Sequence, residues 1–265
     1  MADSKPTLEV KVKGVVLAGG LGSRLRPLTA VTNKHLLPVF NQPMIYFPIQ
    51  TLVNAGISDI MIVTGGNSAG DFLKLLGNGK AFGLKHLNYT YQDGEGGIAA
   101  ALSLVEHFAA GDSICVALGD NIIQGNIRAA AEAYHAQGRG ARILLKKVPD
   151  PQRFGVPELD GRRVLRIEEK PKQPKSKYAV IGIYMYDNAV FDIIRTLKPS
   201  ARGELEITDV NNAYISRGEM TWDELDGWWT DAGTFESLLH ASSLVAETGA
   251  NNTELTHAAE ASANS

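Results

Sequence analysis

One cysteine in 265 residues excludes an internal disulfide, and its place in the apolar run I-C-V-A-L makes Cys115 a small buried hydrophobe rather than a reactive thiol. No apolar stretch approaches the roughly 20 residues needed to span a membrane, and M-A-D-S-K-P-T-L lacks the apolar core of a signal peptide. These absences predict a cytoplasmic protein, in which the sequon Asn88-Tyr89-Thr90 has no consequence. Excess positive charge is also missing. A net charge of −3 and a pI near 6.1 exclude the basic face of a nucleic-acid binder. Two familiar phosphate loops are absent as well. No Lys-Ser or Lys-Thr closes a glycine-rich turn, and Gly20-Leu21-Gly22-Ser23-Arg24-Leu25 puts leucine where the dinucleotide fingerprint needs a third glycine or alanine.

What is present starts with L-A-G-G-L-G-S-R-L-R-P-L-T at 17–29. An apolar strand through Val15, Val16 and Leu17 runs into a turn bearing Gly19, Gly20 and Gly22, with Arg24, Arg26 and Lys34 close behind. Glycines there leave room for a ligand against the backbone, whose N–H groups can converge on an anion. A strand that ends in such a loop puts the anion beyond the carboxyl end of a parallel sheet, where open α/β folds bind ligands. A polyphosphate is the expected ligand.

The chain is long enough for one large α/β domain. Short β-branched runs predict strands near 13–18, 60–64, 84–90, 113–118 and 142–147. Helices are predicted near 43–55, 70–76, 97–109 and 127–137, an alternation that implies a parallel sheet with right-handed crossovers. After Pro149 the runs F-G-V-P-E-L, V-L-R-I-E-E and Y-A-V-I-G-I-Y-M-Y follow without helices between them and predict an antiparallel addition. Helices near 205–217 and 234–248 bracket a strand near 219–225. The small, polar segment from about 250 to 265 is expected to be a mobile tail.

The stretch at 17–29, followed by N-K-H-L-L-P-V, resembles the signature of the sugar-phosphate nucleotidyltransferases. Further matches occur in order: L-G-D-N at 118–121, F-G-V at 154–156, E-E-K-P at 168–171, S-A-R-G-E-L-E-I-T-D at 200–209 and W-T-D-A-G-T at 229–234. Together they span about 13–248, and within the family the chain looks most like the glucose-1-phosphate thymidylyltransferases in a short form. The resemblance implies a Rossmann-like, mostly parallel sheet flanked by helices, with an antiparallel sugar-binding addition. It implies one domain over 1–249, with a nucleotide part near 13–148 and a sugar part near 149–248. The implied reaction moves a nucleotidyl group from a nucleoside triphosphate, dTTP first, to glucose 1-phosphate or another sugar 1-phosphate. Both partners are small molecules, Mg2+ is the implied cofactor, and homo-oligomers are the family expectation.

Such a transfer needs no protein nucleophile, because the sugar phosphate attacks the α-phosphate itself. The protein must hold two anions in line and neutralise departing charge. Arg24 and Lys34 are assigned to the triphosphate, Arg24 as a fork and Lys34 as a compact charge. By resemblance Asp120 and Asp231 hold the metal, while Lys170 and Arg202 clamp the attacking phosphate. Leu17, Gly19, Gly20, Gly22, Gln92 and Gly97 complete the nucleotide site. Asn121, Gly155, Glu169, Val180 and Tyr184 are assigned to the sugar. Gln92 carries a donor and an acceptor, as the imide edge of thymine or uracil requires. The chain departs from the family at G-E-G-G-I-A-A-A from Gly94 to Ala101, at His35 and at Phe154, which leaves UTP or a purine triphosphate as alternatives. A non-catalytic nucleotide-sugar-binding protein on the same fold is a further alternative, opposed by the presence of clamp and metal residues together. A nucleotide-sugar-consuming glycosyltransferase would carry an Asp-x-Asp motif, which L-G-D-N-I-I is not.

Overall fold

A computed structural model describes residues 12–252. Its first half alternates as the periodicity predicts. Strand β1 (Val12–Ala18) leads through a hairpin of β2 (Pro38–Val39) and β3 (Gln42–Pro43) to helix α1 (Tyr46–Asn54). Then follow β4 (Asp59–Gly65), α2 (Ala69–Leu76) and β5 (His86–Gln92). The helix predicted near 97–109 is two pieces, α3 (Ile98–Ser103) and α4 (Glu106–Ala109). Ser103 turns its hydroxyl onto the Ala100 carbonyl at 2.7 Å at the break, a local bond that competes with the helical ladder. Strand β6 (Ser113–Leu118) and the short β7 (Asn121–Ile123) precede α5 (Arg128–Gln137) and β8 (Ala141–Lys147).

The second half holds the hairpin β9 (Gly155–Asp160) and β10 (Arg163–Glu169), then β11 (Tyr178–Tyr186). Helix α6 (Ala189–Thr196), missing from the sequence reading, buries Val190, Phe191, Ile193 and Ile194. Helix α7 (Ile207–Ser216), β12 (Met220–Glu224), β13 (Trp229–Asp231) and α8 (Phe235–Thr248) complete the order.

Strands β5, β4, β1 and β6 are parallel, as predicted. Strand β11 is antiparallel, as expected of the segments after Pro149, and it lies inside the main sheet, paired with both β6 and β8. Eight of its nine residues are buried, and a run apolar on both faces cannot be left at an edge. Strand β8 pairs along one edge of β11 at both ends, Tyr178 to Val180 and Tyr184 to Tyr186, with a register break between them. The other edge is shared by β6, from Ile183 to Tyr186, and by β9, through the single pair Val180–Gly155. Between those two partners, around Gly182, the sheet is split, and the split opens a cleft.

Alternate residues of β1 feed the two faces. Val15 and Leu17 pack with α3, α6 and α7, whereas Val16 and Ala18 pack with α1, α2 and α5. Helix α8 closes a third cluster through Ala241 and Val245 against Val39, Met44, Phe47 and Ile122. Cys115 lies fully buried, and burial pushes its thiol up to about 12, in line with an inert hydrophobe. No helix among the described residues is long and apolar enough to cross a membrane.

The tail expectation needs correction at its start. Asn251 accepts from Thr51 Oγ1 at 2.7 Å and donates to the Phe47 carbonyl at 3.0 Å, and its backbone oxygen takes Asn54 Nδ2 at 2.9 Å. Small polar residues can anchor a chain end through hydrogen bonds where apolar surface is lacking. Residues 253–265 lie outside the described residues.

Candidate active site

The loop after β1 is shaped by close approach. A Cβ on Gly19 would fall 2.5 Å from Gln92 Oε1, so only glycine lets this glutamine lie where it does against the turn. Gly22 has φ +64° and covers the stem of Lys34, whose Cβ would stand 2.8 Å from an added Cβ. Among the described residues no hydrogen bond claims the amides of Gly19, Gly20, Leu21 or Gly22, leaving a row of donors for an anion. Arg24 follows on the short turn Ser23–Leu25, exposed and without a hydrogen-bonded partner among the described residues. Arg26 is exposed and lines neither of the two clefts that Arg24 lines, unlike the other cations grouped with it.

Lys34 sits on the turn Lys34–Leu36, capped by the Asn33 side chain. Asn33 Oδ1 also faces His35 Nδ1 at 2.8 Å, which puts the ring proton on Nδ1. Burial, with the Lys34 charge next to it, lowers the His35 pKa to about 3. The ring therefore packs as a neutral wedge against Gly119, where a Cβ would meet it at 2.6 Å. Lys34 Nζ reaches Asp120 Oδ2 at 2.5 Å.

Asp120 stands in the turn between β6 and β7. Pairing of β7 with β13 places Asp231 opposite Asn121, and the Ala232 amide donates to the Asp120 carbonyl at 2.9 Å. The two distant aspartates thus become neighbours. A Cβ on Gly233 would stand 3.3 Å from Asp231 Oδ2, 3.6 Å from Asp120 Oδ2 and 3.0 Å from Arg24 Nη2, so this glycine leaves the space on which all three converge. Burial works to raise the Asp120 carboxyl, but the charge and hydrogen bond of Lys34 outweigh it and hold the group well below the usual carboxylate range. Asp231 is raised, first by burial and then by Asp120, against Arg153, Arg24 and Lys34. No cluster of three or more His, Cys, Asp or Glu suited to a metal occurs among the described residues. Two carboxylates alone suit a hard dication that keeps waters and phosphates as its other ligands.

Two clefts meet at this point. One, of about 430 Å3, is lined by Leu17, Gly19, Gly20, Lys34, Gln92 and Gly97. The other, of about 240 Å3 and opening at the split in the sheet, is lined by Asn121, Gly155, Glu169, Lys170, Val180, Tyr184 and Arg202 among others, with Asp231 at its edge. Arg24 and Asp120 line both. Gly22 lies behind the first cleft rather than on it.

Within the second cleft Lys170 has φ +46°, a strained value for a side chain, and its Nζ lies 3.6 Å from Glu169 Oε1. Arg202 donates to Glu206 at 2.8 Å and lies 3.4 Å from Glu204 and 3.9 Å from Glu169. The hydroxyl of Tyr184, whose pKa burial raises well above the ordinary value, has no hydrogen-bond partner among the described residues. Asn121 is more committed than the sequence suggested. Its Oδ1 accepts from the Gly182 amide at 2.9 Å and from Trp229 Nε1 at 2.7 Å, and its Nδ2 donates to Asp120 Oδ1 at 3.0 Å. The side chain holds the cleft together and keeps one amide hydrogen without a partner among the described residues.

Sequence reasoning missed Arg153, Thr208 and Trp229. Thr208 donates to Glu169 Oε2 at 2.7 Å, fixing that carboxylate. Trp229 and Thr208 lie inside motifs whose charged residues drew attention first, and Arg153 directly precedes F-G-V.

A family model described as nucleotidyl transferase matches residues 13–248. The chain is 44% identical over 238 residues to a glucose-1-phosphate thymidylyltransferase of Neisseria meningitidis, covering 88% of this chain and 82% of the relative. It is 42% identical over 238 residues to the protein of that name from Mycobacterium tuberculosis, with the same coverage. A crystal structure from Bacillus anthracis, assigned as a glucose-1-phosphate thymidylyltransferase in complex with sucrose, matches with a TM-score of 0.85 at 54% identity, over 89% of this chain and 96% of that one. A UDP-glucose pyrophosphorylase bound to UDP-glucose matches with a TM-score of 0.78 at 22% identity, over 89% of this chain and 98% of that one, a likeness of fold alone.

Proposed function

The chain belongs to the nucleotidyl transferase family, and on that premise we propose that it transfers a thymidylyl group from dTTP to glucose 1-phosphate, giving dTDP-glucose and pyrophosphate. The observation that carries this reading is the meeting of two clefts at Arg24 and Asp120, one suited to a nucleotide and the other to a sugar phosphate. An oxygen of the sugar phosphate bonds to the α-phosphorus as the bond from that phosphorus to the β-phosphate bridge breaks. Both nucleophile and leaving group are phosphates, so neither needs a protein acid or base.

Lys34 and Arg24 neutralise charge at the triphosphate, and Gly19, Gly20 and Leu17 shape its seat. Gln92, lying between Gly19 and the Gly97 carbonyl, meets the imide edge of the base. Lys170 and Arg202 take the sugar phosphate, while Glu169, Asn121, Tyr184, Gly155 and the Val180 backbone face the sugar hydroxyls. Asp120 and Asp231 hold Mg2+, which supplies Lewis-acid neutralisation of phosphate charge when bound. The nucleotide part is near 13–148 and the sugar part near 149–248, with Leu118 and Asn121 lent across to the sugar. We place the enzyme in the cytoplasm, where a lone buried thiol stays reduced.

Pyrophosphate release with glucose 1-phosphate and each of dTTP, UTP, ATP and GTP tests the reading. Hydrogen-bonding sites reject a ligand that leaves them unpaired, whereas one methyl group is worth only about 1–3 kcal/mol, so dTTP is expected first, UTP second and purines last. A preference for ATP or GTP overturns the base assignment, and no release with any of them overturns the activity.

A further inference from the structure

Arg153 belongs to no motif and closes the turn Pro151–Arg153 before β9. Its Nη1 donates to Asp150 Oδ2 at 2.8 Å, its guanidinium lies over the Phe154 ring at 5.1 Å, and its Nη2 stands 3.6 Å from Asp231 Oδ1. The two oxygens of Asp231 therefore face different ways. Oδ1 turns to Arg153, and Oδ2 turns to the space at Gly233 that Asp120 Oδ2 and Arg24 share. Asp120 repeats the division. Its Oδ1 is held by Asn121 Nδ2, and its Oδ2 faces the shared space and Lys34.

The two holders are linked. Phe154, under the Arg153 guanidinium, packs edge-on against Trp229 at 5.0 Å, and the Trp229 indole N–H donates to Asn121. A carboxylate drawn by a cation at one oxygen is biased in its rotation, so the other oxygen is presented mainly in one direction with less entropy lost at binding. We propose that Arg153 is a positioning residue for the metal site, holding Asp231 with Oδ2 turned toward Asp120, as Asn121 holds Asp120. The proposal rests on the reading of Asp120 and Asp231 as the metal pair. Arg153 also lines the sugar cleft, so direct contact with the sugar phosphate is the competing role.

Arg153→Gln and Arg153→Lys separate these roles. Free Mn2+ is followed by electron paramagnetic resonance as it titrates the enzyme saturated with dTDP-glucose. Loss of a group that orients a metal ligand typically weakens metal binding about 10–100-fold, and Arg153→Gln is expected in that range, with Arg153→Lys recovering part. At saturating Mg2+, kcat and the KM for glucose 1-phosphate should stay within a few-fold of wild type. Unchanged Mn2+ affinity in Arg153→Gln overturns the proposal, and a raised KM beside unchanged affinity makes Arg153 a substrate contact instead. Failure of the wild-type enzyme to hold Mn2+ overturns the metal-pair reading itself.

Discussion

Lys34 Nζ lies 2.5 Å from Asp120 Oδ2, so the cation assigned to the triphosphate and the carboxylate assigned to the metal neutralise each other in the lining of the first cleft. Each side chain is only 13% exposed, which makes the pair a structural contact as well as a functional one. A polyphosphate that engages Lys34 must compete with Asp120 for it. On the proposed function the same event frees an oxygen for a dication, so nucleotide and metal binding are expected to be coupled through one ion pair.

Lys34→Ala should lower kcat a hundredfold or more, since loss of one donor to transition-state charge typically costs about 3–4 kcal/mol. It should also lower the melting temperature, because Asp120 is left buried without its cation. Arg24→Ala should lower kcat comparably and leave the melting temperature unchanged, as Arg24 has no hydrogen-bonded partner among the described residues. Near-normal kcat in a folded Lys34→Ala protein removes that residue from the reaction.

Asp120→Asn and Asp231→Asn should each abolish the Mg2+ response of pyrophosphate release, because an amide is a poor substitute for an anionic ligand to a hard dication. Mg2+ titration of each variant checks this. Recovery of wild-type kcat at high Mg2+ would reduce that aspartate to a tuner of affinity.

His35 makes the fold sensitive to acid. Its pKa is about 3 in the folded chain and 6.5 ordinarily, so between these values the unfolded chain binds the extra proton and stability falls as pH drops below about 6.5. At pH 5 the loss from this group is about 2 kcal/mol. His35→Gln, which cannot titrate, should lose less stability than wild type between pH 7 and pH 5 in paired denaturant melts. Equal losses would show that another group sets the acid limit.

Asn251→Ala should cost about 0.5–1.5 kcal/mol of stability, since it removes the bonds of Asn251 to Thr51 and to the Phe47 carbonyl while the Thr51 hydroxyl keeps that carbonyl as its partner. Denaturant unfolding at pH 7 measures it. Unchanged stability would mean that these partners find water instead.

Much of the chemistry was legible along the chain. A buried strand running into Gly19–Gly22 and then Arg24 is a local pattern, and β-branched runs and apolar periodicity report local conformation and burial, so β1, β4, β5, β6, α1, α2, α5, α7 and α8 were found near their observed bounds. Local patterns do not say which distant segment a strand will meet. Only the register of β7 against β13 makes Asp231 a neighbour of Asp120, and only the division of one edge of β11 between β6 and β9 opens the second cleft. Side-chain partnership follows the same rule. That Lys34 rests on Asp120, that Asn121 has given most of its amide to Asp120, Gly182 and Trp229, and that Arg153 reaches Asp231 depend on packing between segments far apart in the chain. The sequence by itself determined the kinds of groups present and the local turns that carry them. The tertiary structure decided which charge faces which, because hydrogen bonds and ion pairs act over a few ångströms of space, whatever the separation along the chain.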